Sequence, residues 1–340
     1  MPPRLLDIRL VPAGPWRIGP DSGDRDRVDR IYHSDALYSA VTSAMARLGM
    51  LEEWLDATAR APEPAVWFSS CFPYQGETRF IVPPRHLWPP PASSKVRWKG
   101  ARFVPIAVVD SLLEGRLISD SEWVVDPASE CLVPPGGSTG PFRVSVRANA
   151  AVDRFGQGVS AHSTACLEFA PNAGLWMTAA FSDDPAAAQW TGPVLGALRL
   201  LADSGFGGER SQGWGHATVL EQSNGSAVLQ GSKMASSGEA NTETGWWLLS
   251  LFHPAENEAV DWQRGSYALI TRGGRVESNS GWGHAKRPTR MIAEGSVLVS
   301  PSELKGAAAD VSPENFPHPV YRAGFALAIP VPLAGVARPT

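Results

Sequence analysis

From Leu198 to Val219 the chain reads LRLLADSGFGGERSQGWGHATV: an apolar helical run ends in a loop with glycines at 205, 207, 208, 213 and 215, and a β-type segment follows from His216. Glu209, Arg210, Ser211 and Gln212 are set among those glycines. Glycine at this density lets the backbone take positive φ and brings its N–H groups close to a ligand with no Cβ in the way, which suits an anion such as phosphate. Arg210 adds a charged fork and Ser211 a hydroxyl for the same anion. Gly205, Gly207, Gly208, Arg210, Ser211, Gly213 and Gly215 therefore form a candidate phosphate cradle. Read from composition alone, a tight helix-to-strand turn accounts for the same residues.

Three other stretches carry cations among aromatics. Between Thr78 and Val109 the chain has Arg79, Arg85, Lys95, Arg97, Lys99 and Arg102 with no acid, and Trp98 and Phe103 are interleaved with them. Cations beside a stacking aromatic are what single-stranded nucleic acid requires, although a solvated edge strand has the same composition. FRVSVRANAAVDRFGQG, from Phe142, carries Arg143, Arg147 and Arg154, and GWGHAKRPTR, from Gly281, packs His284, Lys286, Arg287 and Arg290 near Trp282. By contrast Asp110 to Glu130 holds six acids against Arg116. A net charge of −4 over 340 residues excludes a free-standing, indiscriminate nucleic-acid binder, so a polyanion site has to be local and the acidic stretch is free to face a protein.

Much chemistry is excluded. The seven histidines are scattered, no GxxxxGK[ST], HExxH or GxSxG occurs, and Cys71, Cys131 and Cys166 match no zinc spacing. No metal or other cofactor is expected, and the cysteines read as buried, reduced thiols of a cytoplasmic protein. No charged segment leads into an apolar run at the N-terminus and no apolar stretch is long enough to span a bilayer, so neither export nor membrane insertion is expected. His33 has two readings. Next to Ser34, at the positive end of a predicted helix, it suits a phosphate contact or general acid–base work, or it simply closes hydrogen bonds at a strand–helix junction. For acid–base work its only candidate helpers are Tyr32 and Lys95.

These residues need elements to hold them. Leu6, Ile8 and Leu10 alternate with Asp7 and Arg9, the period of a half-buried strand. Gly14 to Arg30 reads as a solvated polar loop. Ser34 then caps a helix with Leu37, Val41, Ala44 and Leu48 on one face and Gly49 at its end. Ala65 to Tyr74 and Thr78 to Pro83 read as strands, and Asp110 to Pro135 as acidic loop. A strand pair around a flexible tip follows from Phe142, then a hairpin from Cys166–Phe169 into Leu175–Phe181. Asp184 and Pro185 open a helical region that Gly192 and Pro193 threaten to split. The order βαββ, insertion, β, α, β predicts an α+β ferredoxin-like (RRM-like) domain over 1–222 with an insertion at about 84–165. Residues 223–244 read as a linker, and 245–340 as a smaller, mostly β or degenerate ferredoxin-like domain.

HSDALYSAV at 33–41, KVRWKGARFVP from Lys95, ANAAVDRFGQG at 148–158, DSGFGGERSQGWGHA at 203–217, KRPTRMIAEGSVL at 286–298 and HPVYRAGFALAIPV at 318–331 together resemble the RAMP superfamily of CRISPR-associated proteins. Within it the resemblance is to the fourth-subunit family (Cas5 group) of type III-A (Csm) effectors. The glycine loop is common to many RAMP proteins; HSD, EGS and HPVYR narrow the match. The resemblance implies two ferredoxin-like domains and a non-catalytic subunit that caps the crRNA 5′ handle beside the glycine loop. It also implies docking on the large Cas polymerase subunit and on a backbone RAMP subunit. NAAVDRFG at 149–156 resembles the family's N-x-x-[IV]-D-R-x-[ST]-G, at the base of a thumb-like hairpin that wedges into the guide–target duplex near the guide's 5′ end; here the Ser/Thr position is missing, with Phe155 directly before Gly156. With the implied RNA, the candidate contacts are the loop residues together with His33, Ser34, Lys95, Arg97, Lys99, Arg102, Arg147, Arg154, Lys286, Arg287 and Arg290. Two alternatives stay open: a Cas6-like endoribonuclease acting on precursor crRNA through His33, and the equivalent subunit of a type III-B or hybrid complex.

Overall fold

The alternation of Leu6, Ile8 and Leu10 places one face of β1 (Arg4–Pro12) in the core, and Ile8 and Leu10 are fully buried. The computed structural model describes residues 3–20, 22–90, 98–116, 118–119, 121–136, 139–152, 156, 158–222, 243–278 and 281–333. After β1 come helices α1 (Ser34–Arg47) and α2 (Leu51–Ala57), and strands β2 (Val66–Phe68), β3 (Phe72–Gln75), β4 (Thr78–Ile81) and β5 (Val104–Pro105). Helix α3 (Ile106–Leu113), strands β6 (Val124–Asp126) and β7 (Cys131–Val133), and a long hairpin of β8 (Phe142–Val152) with β9 (Val159–Phe169) follow. β10 (Ala173–Phe181), α4 (Asp184–Ser204) and β11 (Ala217–Gln222) complete the first half. The main sheet runs β11-β1-β10-β3-β4-β5, with β2 also on β10, and its pairings are antiparallel. Counting β2 and β3 as one interrupted strand, the four principal strands stand in the order fourth, first, third, second.

The second half repeats that order. Its strands are β12 (Thr244–Leu248), β13 (Asp261–Ser266), β14 (Leu269–Arg272), β15 (Arg275–Ser278), β16 (Gly281–Ala285), β17 (Thr289–Ile292), β18 (Val297–Val299), β19 (Ala308–Asp310), β20 (Tyr321–Ala323) and β21 (Ala328–Pro332). Four of them form a sheet, β13-β18-β12-β21, which read from β21 is again fourth, first, third, second. The chain between β13 and β18 spends its length on the β14–β17 and β15–β16 pairs. Among the described residues of this half no helix covers the sheet. Instead the first half covers it: Trp247, Leu249, Val297, Ile329 and Val331 belong to the same hydrophobic cluster as Ile8, Tyr38 and Trp54. Leu248 and Leu298, one residue out of phase, point into a small second cluster with Phe252 and Ile292, as the two-residue period of a strand requires. The Phe325 ring meets Tyr38 of α1 edge-on at 5.7 Å.

Several expectations change. Gly14–Arg30 is not simply solvated: Trp16 is fully buried and stacks on Phe206 at 5.0 Å, and only the charged stretch at 22–27 is exposed throughout. Cys166–Phe169 does not pair with β10; it lies in β9 against β8, while β10 inserts between β1 and β3. Ala65–Tyr74 is two strands, because the backbone at Ser70 turns aside to donate to the Leu249 carbonyl (2.9 Å). The acidic stretch begins in α3 rather than in a loop. Helix α4 runs unbroken through Pro193 and is capped by Asp183, whose carboxylate accepts from the Ala186 N–H at 2.7 Å. Ser34 is the first residue of α1 and not its cap, and Leu48, beyond the helix end, is exposed. The three cysteines are free and buried. The linker at 223–244 lies, except for its last two residues, outside the described residues.

Candidate nucleic-acid interface

The glycine loop leaves α4 at Gly205 (φ +92°) and returns to β11 through Gly215 (φ +83°). Its glycines are required by close approach. A Cβ on Gly207 would stand 2.2 Å from the Arg17 carbonyl oxygen, and one on Gly215 would stand 2.1 Å from that of Phe206. Hydrogen bonds lock the same contacts: Gly208 N–H to Arg17 O and Gly215 N–H to Pro15 O, each 2.9 Å. Arg17 is itself buried, its guanidinium donating to the carbonyls of Asp24, Arg25, Arg27 and Ala165. The amides of Gly205, Phe206, Gly208, Gln212, Gly213 and Gly215 are thus spent inside the protein. Gly205 and Gly215 are buried, so they shape the loop and do not reach a ligand, which corrects their assignment as contacts. What the loop presents is the exposed 3₁₀ turn Arg210–Gln212, held between left-handed Glu209 and Gly213.

This packing makes the glycines unequal. Gly207→Ala is expected to cost about 3 kcal/mol or more, from left-handed backbone plus a clash with immovable backbone. Gly213→Ala, with φ +78° and nothing within 4 Å of its Cβ, is expected to cost about 1 kcal/mol. Urea denaturation of the two variants measures the difference.

Two arginines lie at the loop, one approaching it and one projecting from it. Arg147 of β8 sits over the Trp214 ring at 5.4 Å while its guanidinium holds Glu168 at 3.0 Å, so the middle of the long hairpin abuts the loop. Arg210 reaches the other way, to Glu277 of β15 at 3.0 Å, and both partners are solvent-exposed. Screened pairs of this kind are worth little, so a phosphate can take either guanidinium at small cost. Lys99 is exposed, whereas Arg102 leans on Phe103 and on the Asp29 carboxylate at 3.5 Å. Arg287 and Arg290 are exposed on the second half; Lys286 is half-buried, and burial and the neighbouring Arg322 charge push its ammonium down to about 8. Lys95, Arg97 and Arg154 lie outside the described residues.

His33 and Ser34 are not at this interface, a correction with a clear cause. Both are buried where α1 enters the second half. His33 Nδ1 is 2.7 Å from Glu294 and Nε2 is 3.1 Å from Asp29. Burial alone lowers an imidazole's affinity for its proton; the two carboxylates outweigh it and raise the group to about 9, so it is a caged imidazolium. The Ser34 hydroxyl accepts from Leu251 N–H at 3.0 Å, and the Ser34 amide donates to Ser70. Asp35 takes a two-pronged hydrogen bond from Arg272, both contacts at 3.1 Å, and another from Arg322. Burial opposes its charge, and the two guanidinium groups override that and hold its carboxyl below the usual range. His-Ser-Asp is therefore the staple between the two halves. Tyr32, the proposed helper, is buried against Trp16 and Phe206, and burial drives its phenol up. The partners that sequence reasoning missed, Arg17, Asp29, Glu294, Arg272 and Arg322, are single charged residues far apart in the chain. Only a lone charge within an otherwise apolar run, as at Glu294 in MIAEGSVL, marked any of them.

Among the described residues no cluster of His, Cys, Asp and Glu is arranged to hold a metal ion, and no helix is long and apolar enough to cross a membrane. Residues 241–331 match the family model of the CRISPR Csm4 C-terminal domain. No curated protein sequence matches the chain. Among solved structures, a chain in the crystal structure of a Csm3–Csm4 subcomplex of the type III-A CRISPR-Cas interference complex is similar at TM-score 0.65 and 15% identity, over 96% of this chain and 99% of that one. Chains in Csm1–Csm4 cassettes are similar too: with cA4 bound, TM-score 0.56 and 17% identity over 99% of both chains, and with pppApA bound, 0.55 and 16% over 96% and 97%. The chain therefore shares its fold, along nearly the whole length, with chains of Csm3–Csm4 and Csm1–Csm4 assemblies, and its residues 241–331 match the Csm4 C-terminal domain.

Proposed function

We propose that this chain is the non-catalytic subunit that caps and anchors the 5′ handle of the crRNA in a type III-A effector complex. The observation that carries it is an exposed glycine-framed turn that projects Arg210 and is abutted beside Trp214 by Arg147 of β8, within a fold shared end to end with chains of Csm3–Csm4 and Csm1–Csm4 assemblies. The repeated fourth-first-third-second strand order supports reading both halves as ferredoxin-like units, the second with no helix among its described residues. A handle is single-stranded, so its phosphates can meet the turn and the guanidinium groups while its bases splay onto aromatic faces. Because the loop's shape is set by internal hydrogen bonds before RNA arrives, little ordering entropy is lost on binding.

The protein neighbours are a large polymerase subunit of the Csm1 kind and a backbone subunit of the Csm3 kind, with the acidic stretch from Asp110 available to one of them. The hairpin β8–β9 reaches toward target RNA near the guide's 5′ end, and the assembly works in the cytoplasm. The endoribonuclease alternative loses its acid–base group, since both nitrogens of His33 are held by carboxylates in the interior. Reconstitution with the two partner subunits and crRNA tests the whole reading: the 5′ handle should resist single-strand ribonuclease only when this chain is present. A handle equally protected without it, or site-specific cleavage of repeat RNA by this chain alone without metal, contradicts it.

A further inference from the structure

We propose that His284, Phe316 and His318 form a base-stacking platform for single-stranded RNA, a second anchor beyond the glycine loop that seats the next bases of the same strand. The proposal rests on the handle-binding reading for the identity of that strand.

The three rings are gathered from separate segments. Phe316 makes T-shaped contacts with His284 at 5.9 Å and with His318 at 4.8 Å; His284 is exposed, and Phe316 and His318 are half-buried. Its geometry is built in advance. Asn315 adopts a left-handed φ of +57°, and Phe316 N–H closes the turn on Pro313 O at 3.2 Å. The Asp310 carboxylate accepts from the amides of Ser312 (2.9 Å) and Val320 (3.2 Å), pinning both ends of the loop that carries Phe316 and His318. His318 Nδ1 donates to the Pro319 carbonyl at 2.9 Å, which sets the ring's orientation. Rings fixed at a surface are what stacking on unpaired bases needs, and stacking is tolerant of base identity.

Cations flank the platform in the same prepared way. Arg275 donates to Gly283 O, and Arg287 to Asp310 O at 2.8 Å, while both side chains stay exposed. Each guanidinium has five N–H donors, so one bond to a carbonyl fixes it and leaves others for phosphate. The nearby Asp310 carboxylate is already occupied by backbone amides and stands 4.0 Å from Arg287. The platform is also joined to the glycine loop. Arg210 of the loop pairs with Glu277, Glu277 stands opposite Trp282 in the β15–β16 pair, and His284 is two residues further along β16. That is about 7 Å of strand.

The test is a fluorescence-anisotropy titration of the full-length chain with a labelled single-stranded RNA of the handle sequence, with and without an abasic nucleotide scanned along it. Phe316→Ala should weaken binding about 5- to 100-fold, the loss of one stacked base. Phe316→Trp should preserve binding, and Phe316→Leu, which keeps the apolar volume should the alanine variant misfold, should weaken it. At one position the abasic RNA should bind wild type more weakly and abolish the effect of Phe316→Leu. If Arg210→Ala weakens binding while Phe316→Leu and His284→Ala do not, the platform is refuted and the glycine-loop reading stands. If the Phe316 variants weaken binding and Arg210→Ala does not, the platform stands and the glycine-loop reading fails. No effect from either refutes both, leaving the ring cluster as loop packing.

Discussion

Asp35→Ala is expected to destabilise the protein by about 3–5 kcal/mol, the cost of leaving buried charge without its partner. Asp35 is fully enclosed and is the shared carboxylate of Arg272 and Arg322, which come from β14 and β20 in the second half. Removing it takes from two guanidinium groups beneath α1 the carboxylate they share, and Arg322 keeps the Gly273 carbonyl. Asp35→Asn keeps the volume and one acceptor, so it should lose less. Urea denaturation with a probe in each half reads the result: a large shift in midpoint for both, with Trp54 and Trp247 losing their environments together, is expected because one hydrophobic cluster spans the halves.

Stability should also fall with rising pH above neutrality, through His33. Its folded-state affinity for the proton corresponds to about 9 against an ordinary 6.5, so the charged form is favoured in the folded protein. A group raised in this way contributes its full stabilisation below about 6.5 and loses it as pH climbs through 9. The full effect is roughly 3 kcal/mol. Glu294 and Asp29 act with the opposite sign: burial resists their charge, the imidazolium overcomes it, and both are held low, so their contribution is lost as pH falls below the ordinary carboxylate range. Maximum stability from this cage therefore lies between about pH 4.5 and 6.5. Lys286, depressed to about 8, pulls the other way at the top of the range, so the clean quantity is a difference. Wild type minus His33→Gln, measured by chemical denaturation from pH 6 to 9, should decline steadily; a flat difference means the fold leaves the proton affinity of His33 unshifted, and a rising one means His33 is neutral in the fold.

How much of this was legible depended on whether the signal was local. The period of Leu6, Ile8 and Leu10, the helix of Leu37, Val41 and Ala44, and the glycine spacing at 205–215 are short-range patterns with direct physical causes, and each maps onto an element. The ends of β9 were misread because a strand's partner is a tertiary choice. Pro193 failed to break α4 because Trp190 before it and Val194, Leu195 and Leu198 after it are buried, and packing outweighs a lost amide. The loop's role was half legible. Its glycines promised close approach of backbone, and the approach is to Arg17 and Phe206 as much as to any ligand. His33 and Ser34 were read as contacts because a helix N-terminus favours anions; here the anions at that end are Asp29, Glu294 and Asp35, supplied by the protein itself. Long-range pairs between single charged residues leave no periodic trace.

The role proposed for the exposed turn, with Arg210 in it and Arg147 beside it, is to hold the phosphates of the crRNA 5′ handle. A salt titration of handle-RNA affinity for wild type and Arg210→Ala tests it most directly. Wild-type affinity should fall linearly with the logarithm of salt concentration. The variant should bind more weakly with a shallower slope, by about 0.7 for each phosphate released from a single strand. Equal affinities with the same slope, or an affinity indifferent to salt, would contradict the claim and leave the glycine loop as a turn between a helix and a strand.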